Sequence, residues 1–185
     1  MEEKASQAHE TCHRTVPDWI RLVYAELHMV NAEKSWVELR ITLGLILLWA
    51  FLDKLWGLGF ATAADKSWLL GTSPTAGFLQ FAAKGPFAPL YQAMAGSLVV
   101  DLLFMLGLLL IGLSLIFGIG IRIAGYSGAL LMFLMWTAVL PPEHHPFLDE
   151  HIVYGIILLT LAMSNVGRSY SLVKKLKLKK WAILN

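Results

Sequence analysis

The chain has 185 residues, 57% hydrophobic and only 15% charged, with a mean hydropathy of +0.61. A soluble domain carries about 45–50% apolar and about 25% charged residues, so this balance excludes an ordinary soluble globule. The 15 Lys+Arg against 13 Asp+Glu leave +2, too balanced for a nucleic-acid binder, and the one cysteine, Cys12, excludes an intrachain disulfide, a CxxC redox pair and a Cys-ligated cluster. The composition predicts an all-α, integral membrane four-helix bundle.

The N-terminal segment, residues 1–36, contains a candidate interfacial helix over 17–31. Pro17 suits the first helical position, and Trp19, Ile20, Val23, Leu27 and Val30 form one apolar stripe. His9, Cys12 and His13 precede it as surface residues. The membrane domain, 37–167, holds four stretches that meet the length of about 20 residues needed to cross a hydrocarbon core of about 30 Å: about 41–60, 95–119, 121–140 and 147–166. Gly118, Gly120 and Arg122 predict a tight surface turn between the second and third. The connection 61–94 is long and apolar, punctuated by Gly71, Pro74, Gly77, Gly85, Pro86 and Pro89, which suggests short amphipathic or partly re-entrant pieces over the bundle mouth. Residues 168–185 form a basic tail whose KKLKLKK run suits anionic lipid.

Sorting the cations by side gives the orientation. Lys4, Arg14, Arg21, Lys34, Arg40, Arg122, Arg168, Lys174, Lys175, Lys177, Lys179 and Lys180 fall on one side, and Lys54, Lys66 and Lys84 on the other. Twelve against three predicts both termini in the cytoplasm of a multi-pass cell-membrane protein. The N-terminus lacks a signal-peptide pattern, so the first span is expected to direct insertion.

Ionisable residues inside spans are functional candidates, because a charge at the bilayer centre costs about 2.5–3.5 kcal/mol. Asp53, Asp101 and His151 lie about 10, 9 and 6 Å from the outer ends of their spans at helical rise, which places three polar groups at similar depth. Asp101 has no local cation and is expected to find Lys54 or His151 on another helix, or to stay protonated. Asp53 beside Lys54 reads alternatively as a self-contained ion pair. Asp149 and Glu150 open the fourth helix, where acidic residues also serve the helix dipole. Glu143, His144 and His145 lack a spaced third ligand, so no metal is indicated, and the first three spans contain no histidine for haem. No Gly-rich phosphate loop, nucleophile elbow or zinc-hydrolase motif is present, and no flavin is indicated.

The stretch DEHIVYGIILLTLAMSNVGRSYSL (149–172) resembles the last helix of the DoxX/DoxD family of small four-helix membrane proteins, and RITLGLILLWAFLDKL (40–55) is similar to that family's first helix. The long outer loop and HPFLDEH look most like the DoxD branch, the membrane subunit of thiosulfate:quinone oxidoreductase. The resemblance implies electron transfer from thiosulfate or a related reduced sulfur compound to membrane quinone, with a second subunit of the DoxA type as partner. Beside it, the residues themselves outline a shallow polar pocket. His151 is the expected hydrogen-bond donor to a quinone oxygen, with Asp101 or Glu150 as proton relay. Lys54, with Lys66 or Lys84 from the loop, is expected to receive the sulfur anion, with Asp53, Tyr154, Trp49, Trp56 and Phe104 around the substrates. The alternative is a non-catalytic accessory subunit of a larger respiratory or membrane complex, with the outer loop and N-terminal helix as contact surfaces; a third is a small-solute transporter or lipid-binding protein.

Overall fold

The computed structural model of the protein describes residues 18–142 and 145–164, with 18–32 described through the backbone alone. Glu143, His144, the N-terminal His9, Cys12 and His13, and the basic tail lie outside the described residues.

The first helix, α1, runs Asp18–Trp56 without interruption over 39 residues. The separate interfacial helix expected over 17–31 is therefore corrected: from residue 18 it is the opening of the same helix that forms the first span. The reason is local, since the junction NAEKSWVELR has no Pro or Gly and is rich in residues of high helix propensity. The helix stops short of Phe60 because Gly57 takes φ +69° and its N–H donates to the Asp53 carbonyl at 2.7 Å. A side chain at Gly57 would also collide with the Ala63 carbonyl, so the glycine sets this turn twice over.

The connection folds as short pieces: single turns at Ala64–Lys66, Trp68–Leu70, Phe78–Ala82 and Gly85–Phe87, then a helix α2 at Ala88–Met94. Two long helices follow, α3 at Leu98–Phe117 and α4 at Ile121–Ala138, joined by the turn of Gly118 and Gly120. The last, α5, spans Glu150–Met163. Its 14 residues reach about 21 Å, short of the roughly 30 Å hydrocarbon core and of the expected span 147–166. Among the described residues three helices are thus long and apolar enough to cross a membrane, Glu33–Trp56, Leu98–Phe117 and Ile121–Ala138, with α5 as a shorter apolar companion.

The packing is densest between α4 and α5 and between α1 and α3, with α3 against α4 joining the two pairs. Small residues permit this. A Cβ on Gly44 would lie 2.9 Å from the Gly112 carbonyl oxygen, and one on Gly125 would lie 2.6 Å from the Leu158 carbonyl and 2.7 Å from the Ala162 methyl. One core is shared by all four, with Leu43 and Leu47 meeting Leu108, Ile111 and Leu115, and Met132 meeting Leu158. Arg40, expected at the surface, is instead fully buried, because it falls on the same face of α1 as Val37 and Leu43. Only about a third of each long helix is buried, and the outward faces are apolar, as in a membrane-embedded protein.

Candidate functional site

At the end of the helices where α1 finishes and α3 and α5 begin, a cavity of about 1070 Å³ opens between all four helices and the connection. Leu47, Val100, Leu103, Phe104, Leu131 and Met135 make most of its wall apolar. Against this background stand Lys54 from α1, Lys66 from the connection, Tyr91 from α2, and His151 and Tyr154 from α5. The segment 72–81 closes one side.

His151 is held from within its own helix. Asp149 is the N-cap of α5: its Oδ1 accepts from the backbone N–H groups of His151 at 3.1 Å and Ile152 at 3.3 Å. Its Oδ2 sits 2.7 Å from His151 Nδ1, and both side chains are largely buried. The carboxylate therefore fixes the ring and leaves Nε2 for a ligand, the arrangement that orients a catalytic or binding imidazole. Asp149, Glu150 and His151 bring possible ligand atoms within 4.8 Å of one another, but both Asp149 oxygens are already engaged in the cap and the histidine pair.

The expected constellation of Asp53, Asp101 and His151 is not formed. Asp53 is buried, and its Oδ1 accepts the Phe60 N–H at 3.2 Å, so it fastens the turn after α1 rather than facing the cavity. Asp101 is buried in the first turn of α3, where its Oδ1 accepts from Ser73 Oγ at 2.8 Å, Thr75 Oγ1 at 2.5 Å and Thr75 N–H at 3.3 Å. Its partners are thus the hydroxyls of the connection, not Lys54 or His151, because the S-x-T turn at 73–75 brings three donors to one carboxylate oxygen. Glu150 is exposed and lines no part of the cavity, being about 100° around α5 from His151. The pairing role expected of Asp101 or Glu150 falls to Asp149.

Trp49 and Trp56 are likewise outside the cavity, both about half exposed. Trp49 packs edge-on against Phe60, with ring centroids 5.2 Å apart at 82°. Phe104 and Tyr154 do line the cavity, as does Lys66, whereas Lys84 does not. Lys84 instead contributes its backbone, whose N–H donates to the Ala138 carbonyl at the end of α4 at 2.8 Å. Tyr91 was not singled out by the sequence. Its hydroxyl lies 2.6 Å from Thr137 Oγ1 and donates to the Leu134 carbonyl at 3.0 Å, pinning α2 to α4 as a wall. His145 is structural, since its Nδ1 accepts the Phe147 and Leu148 N–H groups at 3.2 and 3.0 Å.

Fold and cavity together define a helical membrane protein with an amphipathic chamber at one end of its spans. Comparison with protein-family models, curated proteins and solved structures returns no match to the chain.

Proposed function

We propose that the protein is the membrane subunit of a quinone-linked oxidoreductase that passes electrons from thiosulfate, or a related reduced sulfur compound, to membrane quinone. The observation that carries this reading is the large apolar cavity with a carboxylate-backed histidine on its wall. Ligand pockets commonly measure about 300–1,000 Å³, so a chamber of this size suits a quinone ring with the first part of its isoprenoid tail. The resemblance of 149–172 and 40–55 to DoxX/DoxD helices supports the same chemistry. The cavity end faces outward and both termini lie in the cytoplasm of a cell-membrane protein, since setting aside the buried Arg40 still leaves eleven cations against three.

In this reading His151 Nε2 bonds one quinone oxygen and supplies one proton while Asp149 stabilises the charged ring. Tyr154, one turn further along α5, serves the second oxygen. Lys54 and Lys66 attract the sulfur dianion. Two thiosulfates joined as tetrathionate release two electrons, and the quinone takes up two electrons and two protons to become quinol. A second subunit of the DoxA type completes the enzyme.

The isolated protein in detergent should bind a short-chain quinone analogue, and the protein with its partner should reduce that analogue using thiosulfate. His151→Ala should lower turnover by about 10²-fold or more, the usual contribution of a general acid. Quinone binding absent from the isolated protein, or unchanged turnover in this variant, would overturn the assignment; a stoichiometric complex with neither property would point to the accessory-subunit alternative.

A further inference from the structure

The connections at the cavity end expose large apolar side chains that no helix covers. Phe60 is 75% exposed, Leu69 65%, Leu70 68%, Phe81 83% and Phe147 67%. Single exposed hydrophobics are ordinary, but here they recur on every connection of one end. Fully burying such a side chain is worth about 1.5–3 kcal/mol, so leaving all five in water would be a heavy cost.

Several backbone groups around them are paired internally. Phe60 donates its N–H to buried Asp53, Phe147 and Leu148 donate theirs to His145 Nδ1, and the Phe147 carbonyl accepts from Trp136 Nε1 at 2.8 Å. Leu70 closes onto the Ser67 carbonyl, and Lys84 onto that of Ala138. In lipid each orphan backbone group costs several kcal/mol, and these pairings remove that cost at the groups they engage. At the same end Leu98 and Val99 of α3 and Phe133 of α4, on helices long and apolar enough to span, are exposed as well. At α5 the helix falls about 9 Å short of a hydrocarbon core, and Phe147 and Leu148 stand just ahead of it to fill that depth.

We infer that the connections carrying Phe60, Leu69, Leu70, Phe81 and Phe147 are embedded in the bilayer leaflet at the cavity end, with lipid as their partner. The inference does not depend on the quinone reading. Its consequence is that these five side chains lie in the leaflet while the exposed Asp65 and Lys66 of the same connections stay at its aqueous surface.

The test uses the unmodified protein in phosphatidylcholine vesicles containing a diazirine-bearing phosphatidylcholine, alongside hydroxyl-radical footprinting of the same vesicles. Peptides holding Leu69, Phe81 and Phe147 should carry the lipid label and lose radical modification relative to the unfolded chain. Spin labels at Leu69→Cys, Phe81→Cys and Phe147→Cys, in a Cys12→Ser background, should collide more with oxygen than with a water-soluble nickel chelate, as should a reference label at Leu110→Cys, on the exposed face of α3. Radical modification of these residues in vesicles would overturn the inference and leave the surface to a soluble partner. Exclusion from lipid and water alike would overturn it in favour of a second copy of the chain.

Discussion

Replacing Asp149 with asparagine separates its two tasks. As N-cap, the side chain offers Oδ1 to the N–H groups of His151 and Ile152 at 3.1 and 3.3 Å, and an asparagine oxygen does the same at the same reach. Asn and Asp rank together as caps, so stability should change by no more than about 0.5 kcal/mol. The Oδ2 contact to Nδ1 at 2.7 Å is different. An amide NH₂ there cannot accept a ring proton; it forces Nδ1 to be the acceptor and opposes the imidazolium. Hydrogen bonds to charged groups contribute about 1.5–3 kcal/mol, which corresponds to a loss of roughly 10- to 150-fold in proton delivery. Neutral Nε2–H still donates, so quinone affinity should hold while turnover falls by that factor. Asp149→Ala should lose the same turnover and a further ~1 kcal/mol of stability with the cap. Thiosulfate-dependent quinone reduction, measured beside Tm and analogue binding, reads all three quantities. Full turnover in Asp149→Asn would refute the histidine–carboxylate reasoning.

Other substitutions probe the frame and the chamber. Gly125→Val should destabilise the α4–α5 pair by about 1–3 kcal/mol in thermal or SDS unfolding, since its Cβ meets backbone rather than a yielding side chain, whereas Gly107→Ala, with its nearest atom 3.8 Å away, should behave as wild type. Asp101→Leu strands Ser73 and Thr75, at a cost of about 1–3 kcal/mol, and should accelerate hydrogen exchange over 72–81 while α4 and α5 stay protected. Lys54→Met should raise the KM for thiosulfate and leave binding of the quinone analogue unchanged.

Membrane character and three of the four expected spans were legible because an apolar run of sufficient length has few soluble uses. The helix ends were less so: Gly57 ended α1 before Phe60 and Asp149 delayed the start of α5, both local turn and cap choices that hydropathy overlooks. Depth along a span placed Asp53, Asp101 and His151 at one level, but depth says nothing about which way around a helix each points. Asp53 and Asp101 turned to nearby connection groups, Phe60 N–H and the Ser73–Thr75 turn, that satisfy a carboxylate at small entropic cost. The signal for Asp149 was present in the sequence, an aspartate just ahead of an apolar helix with a histidine two residues on. It reads as a cap, and only the geometry reveals that its second oxygen reaches the ring. Tyr91 had no sequence signal, since its role arises from contact with a helix more than 40 residues away.

The unbroken first helix has a mechanical meaning. Its 39 residues extend about 58 Å, nearly twice the roughly 30 Å thickness of a hydrocarbon core, and its last turns carry Lys54 beside the chamber. A long α-helix curves only gently unless a proline, glycine pair or bulge interrupts it, and the part of α1 before Gly44 contains no proline or glycine. The rod is therefore one continuous piece, longer than a hydrocarbon core is thick, with Lys54 near one end of it beside the chamber. A displacement at its Asp18 end would be passed on to the wall beside Lys54 with no proline or glycine pair in between.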